Sequence, residues 1–153
     1  MATAFISHRD CWQHDMGTHH PECPARLDAI NDRLIAAGLD LYLEHHQAPL
    51  ADMEQLLRAH ARRYIETLAD SAPKSGIVHV DPDTAMCPGT WTAALRAAGA
   101  GVLATDLVMQ GKVTNAFCAV RPPGHHAERA RSMGFCFFNN IAVAALHGIE
   151  AWG

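Results

Sequence analysis

Apolar residues follow two rhythms along this chain, and the alternation between them predicts its elements. Ala4-Phe5-Ile6 and Ala116 to Val120 are short apolar runs bounded by polar or turn residues, as buried strands are. Leu41 to Ala48 reads as a further strand between them in chain order. Elsewhere the spacing is helical. Leu27, Ile30, Leu34 and Ile35 follow Pro24, whose missing N–H costs nothing in a first helical turn, and Gly38 supplies the stop. Asp52 and Gln55 form a capping box for a helix carrying Leu56 and Leu57, and Tyr64, Ile65 and Leu68 continue that face to Pro73. Ile77 to Val80 is a brief extended run, and Asp81-Pro82-Asp83-Thr84 is turn chemistry. Thr90 is placed to cap a long helix ending near Gln110, with Gly111 closing it. Its Ala97-Ala98-Gly99-Ala100-Gly101 segment favours close packing over intrinsic helix stability. Asn139 or Asn140 caps a last helix through Ile141, Val143, Ala144 and Leu146. The polar stretch from His8 to Glu22 reads as loop. Strands alternating with helices predict an α/β class with a parallel sheet, the third strand covered on both faces.

Composition narrows the class. A length of 153 residues, with 49% hydrophobic and 18% charged, suits one globular domain with a real core. The formal charge of -4, with only Lys74 and Lys112 as lysines and no basic run among the arginines, argues against a nucleic-acid-binding surface. No signal-peptide pattern and no apolar run near the roughly 20 residues of a membrane span are apparent, so a cytoplasmic protein is expected. Five cysteines, an odd number, widely spaced and without a C-x-x-C pair, argue against a disulfide framework or a structural zinc knuckle.

Histidine is the unusual residue. There are eleven, with adjacent pairs at His19-His20, His45-His46 and His125-His126. The last pair sits in Arg121-Pro122-Pro123-Gly124-His125-His126-Ala127, a loop bent by Pro-Pro-Gly just after an apolar run. Imidazoles titrate near neutrality, so two in a shaped loop can hold and pass protons. The block Met133-Gly134-Phe135-Cys136-Phe137-Phe138-Asn139-Asn140 adds glycine, aromatics and a thiol suited to walling a narrow pocket. Phe137 and Phe138 read as core, and Arg121 as an anchor for the loop through hydrogen bonds. Asp15, His19, His20 and Glu22 are too loosely spaced for a convincing metal cluster and read as a structural loop. His45-His46 caps or exposes a strand end.

The two blocks together resemble the histone deacetylase family, including its acetylpolyamine and acetoin-utilisation relatives. The likeness runs from His20-Pro21-Glu22 to Gly148 and is most specific between Asn115 and Ala145. It implies a three-layer, parallel-sheet, arginase-like deacetylase fold, of which residues 1–153 are the N-terminal part, with strand order 2-1-3 and flanking helices. The family reaction is zinc-dependent hydrolysis of an acetyl amide on lysine or a polyamine. By resemblance, His126 is the general base and later the acid for the leaving amine, with His125 beside it in an electrostatic role. Phe135 forms a wall of the acyl-stem tunnel, Gly134 offers its carbonyl to the substrate N–H, and Cys136 lies at the pocket floor. Asp83 matches a residue that grips the substrate backbone at the rim, or is a solvated turn aspartate. Arg26 matches an arginine of the acetate-release cavity, or snorkels to solvent.

The family's zinc ligands, two aspartates and a histidine beyond the next strand, have no counterpart in the sequence, nor has its oxyanion tyrosine. The expectation is therefore an isolated chain that binds no zinc in family geometry and does not turn over. Its third strand is expected to be an open apolar edge, with the Phe135–Phe138 region losing cover as well. Self-association through that edge, or binding of a missing C-terminal half, follows. Three readings stand: a truncated or split zinc deacetylase, a non-catalytic oligomer or binding module of the same descent, and an unrelated metal-dependent hydrolase.

Overall fold

In the computed structural model, which describes residues 2–153, the sheet is built around the first strand. Strand β1 (Thr3–Ser7) pairs in parallel with β2 (Leu43–Gln47) on one side and β5 (Asn115–Cys118) on the other. The order β2-β1-β5 is the expected 2-1-3 order of the three principal strands. A separate antiparallel hairpin, β3 (Val78–Asp81) and β4 (Thr84–Met86), interrupts the count.

Alternation along β1 sorts the two faces. Phe5 points to helix α1 (Ala25–Ala36), packing with Leu27, Ile30 and Leu34, while Ala4 and Ile6 point to helix α4 (Thr90–Met109) and its Ala100, Leu103 and Leu107. Sheet between helices gives the layered α/β arrangement. A second core lies beyond α4, where Val102 and Ala98 meet Leu56 of α2 (Met53–Ala59), Ile65 and Leu68 of α3 (Arg62–Ser71), and Val143 of α5 (Asn140–Trp152). Phe137 and Phe138 fill its centre. The small residues of α4 permit close approach as expected: a Cβ on Gly99 would come within 2.1 Å of the Pro49 carbonyl oxygen.

Several expectations are corrected. The single helix read from Asp52 to Pro73 is two, because tertiary contacts replace helical bonds at the junction. His60 is extended, its ring accepts the Asn139 N–H (2.9 Å), and the Ala61 N–H goes to the Arg129 carbonyl (3.0 Å). The capping box of Asp52 and Gln55 is present. Thr90 does not cap α4. Gly89 holds that position, and the buried Thr90 hydroxyl serves the Cys87 N–H (2.9 Å) and His14 Nδ1 (2.8 Å) instead. Asn139 caps α5, accepting the Ala142 N–H at 3.1 Å. Within the presumed turn, Thr84 begins a strand.

Strand β5 is covered on one face only: Ala116 and Cys118 are half-buried toward α4, whereas Phe117 stacks on Phe5 at 6.0 Å and stays 49% exposed. The Phe135–Phe138 region keeps its cover, since Cys136, Phe137 and Phe138 are buried by the helical core of the same segment. Finally, α4 is long and apolar enough, by length and composition alone, to cross a membrane, contrary to the sequence reading. An apolar core helix passes the same test, and α4 is wedged between the sheet and α5.

Candidate active site

The loop after β5 is held from below by a buried ion pair. The Arg121 side chain is inaccessible to solvent. Its Nε and Nη2 donate to Glu22 Oε1 and Oε2 at 2.8 and 2.7 Å, a bidentate arrangement, and Nη1 donates to the carbonyls of Cys11 (2.8 Å) and His14 (2.7 Å). Arg121 thus anchors the loop as expected, and it draws Asp15–Glu22 into a structural role. Arg26 donates to Glu22 Oε1 at 3.2 Å and to the Val120 carbonyl at 2.8 Å. His14 completes the cluster. Burial first, then the nearby Arg121 charge, lowers its pKa to about 4, so it is neutral. Its Nδ1 pairs with Thr90, and its Nε2 is buried without a hydrogen-bond partner, 3.8 Å from Glu22 Oε2.

Above this support the backbone turns outward and exposes both imidazoles. The His125 and His126 rings lie 4.3 Å apart at 55°. The ion pairs of the described residues involve His8, His14, His45, His46 and His147, and neither member of this pair.

The facing wall comes from a tight turn. Gly134 and Phe135 both have positive φ (56° and 70°), and the Cys136 N–H closes onto the Met133 carbonyl at 3.0 Å. Two positive φ values at the centre define a type I′ geometry. Glycine is required at the first position, since a Cβ there would come within 2.7 Å of the His126 ring. Phe135 tolerates the second because it is tied on both sides. Its N–H donates to Thr84 Oγ1 (3.0 Å), and its ring meets the edge of His20 at 4.8 Å. His20 Nδ1 accepts the Glu22 N–H (3.1 Å), which leaves Nε2 as the donor to the Asp83 carbonyl (3.2 Å). One histidine ring therefore braces the rim hairpin and the aromatic wall together.

These pieces enclose a cavity of about 490 Å³ lined by Asp81, Asp83, Pro123, His125, His126, Met133, Gly134 and Phe135. Of the sequence candidates, His125, His126, Asp83, Gly134 and Phe135 meet there. Cys136 does not line it. The thiol is buried behind, donating to the Gly134 carbonyl at 3.2 Å, and burial raises its pKa. Arg26 lines a neighbouring cavity of about 420 Å³ that shares Pro123 and His125 with the first. Asp81 and Thr84 were visible in the sequence only as turn residues and His20 only as part of a structural loop, a role its bracing of Asp83 fits. His14 was not singled out. Among the described residues no three His, Cys, Asp or Glu side chains are grouped to hold a metal.

The histone deacetylase domain model matches residues 20–153, which is most of the chain. The chain belongs to the histone deacetylase family. The human polyamine deacetylase HDAC10 is 35% identical over all of this chain and 24% of its own length. A histone deacetylase-like amidohydrolase of Pseudomonas aeruginosa is 35% identical over 97% of this chain and 44% of its own length. A probable deacetylase of Archaeoglobus fulgidus is 34% identical over 94% and 40%. The chain thus spans between a quarter and a half of the length of these relatives. The crystal structure of the HDA15 HD domain superposes with a TM-score of 0.92 at 31% identity, covering 98% of this chain and 45% of that one. The histone deacetylase fold is therefore established for this segment, and with it the placement of the histidine loop at the end of the strand beside β1.

Proposed function

We propose that this chain is the histidine-bearing part of a zinc-dependent acetyl-amide hydrolase, with the zinc ligands supplied by polypeptide outside residues 1–153. The observation that carries this reading is the convergence of the His125–His126 pair, the Phe135 wall and the Asp83 rim on one cavity. His126 accepts a proton from water as its oxygen adds to the acetyl carbonyl, and delivers it to the amine nitrogen as the C–N bond breaks. His125, in ring contact with it, acts electrostatically on that transfer. Gly134 and Phe135 border the passage for an alkyl stem, and Asp83 accepts N–H bonds from substrate at the rim. Cys136 backs the pocket. Arg26, lining the adjoining cavity, offers a cation to departing acetate. By itself the segment lacks the ligand set and does not turn over.

A second reading, a non-catalytic module working by association, is favoured by the open β5 edge, where Phe117 stands half exposed. The same edge is where a completing half would pair.

The deciding experiment measures acetyl-lysine amide hydrolysis with zinc, for the chain alone and for the chain mixed with the C-terminal part of a family domain. Turnover only in the mixture, lost with His126→Ala, is the expected result. A stoichiometric, folded complex without turnover would make the chain a non-catalytic module.

A further inference from the structure

The opposite edge of the sheet carries a pattern that reads alike from both ends. In β2 the Ala48 N–H, just past the strand, donates to the Ser7 carbonyl at 2.9 Å. Parallel pairing alternates, so Glu44 and His46 also turn their backbone groups toward β1, and Leu43, His45 and Gln47 turn theirs outward. The Leu43 N–H turns back to the Asp40 carbonyl, and among the described residues no strand pairs with the outward groups that remain. Apolar side chains stand at both ends of the edge: Leu41 (87% exposed) and Tyr42 (79%) before it, Pro49 and Leu50 (48%) after it. The second pair is held in place, since Arg96 Nη1 donates to the Ala48 carbonyl (2.9 Å) and the Ala51 N–H to that of Leu95 (3.0 Å).

We infer that β2 is a self-pairing edge through which two copies of this chain join antiparallel about a two-fold axis at His45. The six strands then run β5-β1-β2-β2-β1-β5 as one sheet. Centred there, the two His45 residues exchange both backbone hydrogen bonds, and the Leu43 carbonyl accepts the Gln47 N–H of the other copy while the Leu43 N–H keeps its bond to the Asp40 carbonyl. Glu44 falls opposite His46 at the non-hydrogen-bonded positions, where side chains approach most closely. These two side chains already pair within one chain at 2.8 Å, so opposite character meets across the seam twice. The same arrangement brings the exposed Leu41 and Tyr42, on the 3-10 turn Asp40–Tyr42, toward Pro49 and Leu50 of the second copy. Natural edges are commonly guarded by lysine, proline or a bulge. Leu43–Gln47 has none of these, and its one carboxylate is placed to match a copy of itself. Each His45 ring remains engaged with its own chain, 5.3 Å from Phe5 and 3.1 Å from Asp40 Oδ1. This seam lies two strands from β5 and stands or falls independently of any completion there.

Mild oxidation of His45→Cys tests it directly. Residues paired at the axis are about 5.5 Å apart at Cα, inside the range of about 4.4–6.8 Å for a disulfide. A covalent dimer is expected for His45→Cys, and not for His46→Cys or the unsubstituted chain with its own five cysteines. In sedimentation equilibrium, Glu44→Lys should raise the dimer dissociation constant roughly tenfold, and adding His46→Glu should restore it. Equal cross-linking of His45→Cys and His46→Cys would overturn the proposal. So would a monomer at every concentration, or a dimer indifferent to Glu44→Lys and abolished by Phe117→Asp, which would put the seam on β5.

Discussion

Arg121 and His126 are five positions apart on one loop and live in opposite environments. Arg121 is fully enclosed, and its donors meet a bidentate carboxylate and two carbonyls, all within residues 11–22. His126 stands in the open, touching the His125 ring and the Gly134 backbone. The foundation of the site is bonded on every side, and its histidine face is open to solvent. Fold and reaction are thus separable here: damage to the first should cost stability, and damage to the second should cost only chemistry.

The strongest way to break that contrast is Arg121→Met. It strands a buried Glu22 carboxylate, and removal of one partner from such a pair is expected to destabilise by about 3–5 kcal/mol, read from urea unfolding. Next is acid. His14 has a folded pKa of about 4 against 6.5 for the free ring, so the unfolded state takes up the proton first. Its contribution is fully present above pH 6.5 and is lost as pH falls from there toward 4. At about 1.4 kcal/mol per unit the loss is about 3 kcal/mol. His60, also lowered by burial, steepens the same slope. The urea midpoint followed from pH 7.5 to 4 should therefore drop, and less so in His14→Phe. Gly134→Ala sharpens the boundary between the two regions, because it combines a left-handed φ with a clash on His126. A cost of roughly 1–3 kcal/mol is expected, with displaced His126 ring resonances in NMR. Least of all, His125→Ala and His126→Ala should leave unfolding within about 0.5 kcal/mol of the parent. His126→Ala should at the same time abolish turnover in the complemented assembly. A large stability loss from either would mean that the pair also serves the fold.

What could be read from the sequence divides along the same line. Local chemistry was legible: the capping box at Asp52 and Gln55, the stop at Gly38, the Pro-Pro-Gly bend and the buried Phe137-Phe138 all depend on near neighbours. Distant pairings were not. His60 breaks a helix because of Arg129 and Asn139, and His14 is buried because Thr90 lies 76 positions on. Phe117 looked like core because an apolar run does not say which faces are covered. The candidate site was legible as a list, through two motifs. Its bracing was not: His20 reaches Asp83 across 63 positions, and Phe135 holds Thr84 across 51.

The Glu22–Arg121 pair spans 99 residues, which sets a timetable for biosynthesis. A ribosome adding roughly 5–20 residues per second leaves Glu22 with Arg26 alone as counter-ion for roughly 5–20 s after it is made. Strand β1 waits as long for β5, with only β2 to pair with meanwhile. The nascent N-terminal third therefore remains an unfinished layer until the histidine loop emerges. In this chain the residue that secures the site is also the one that ends the wait.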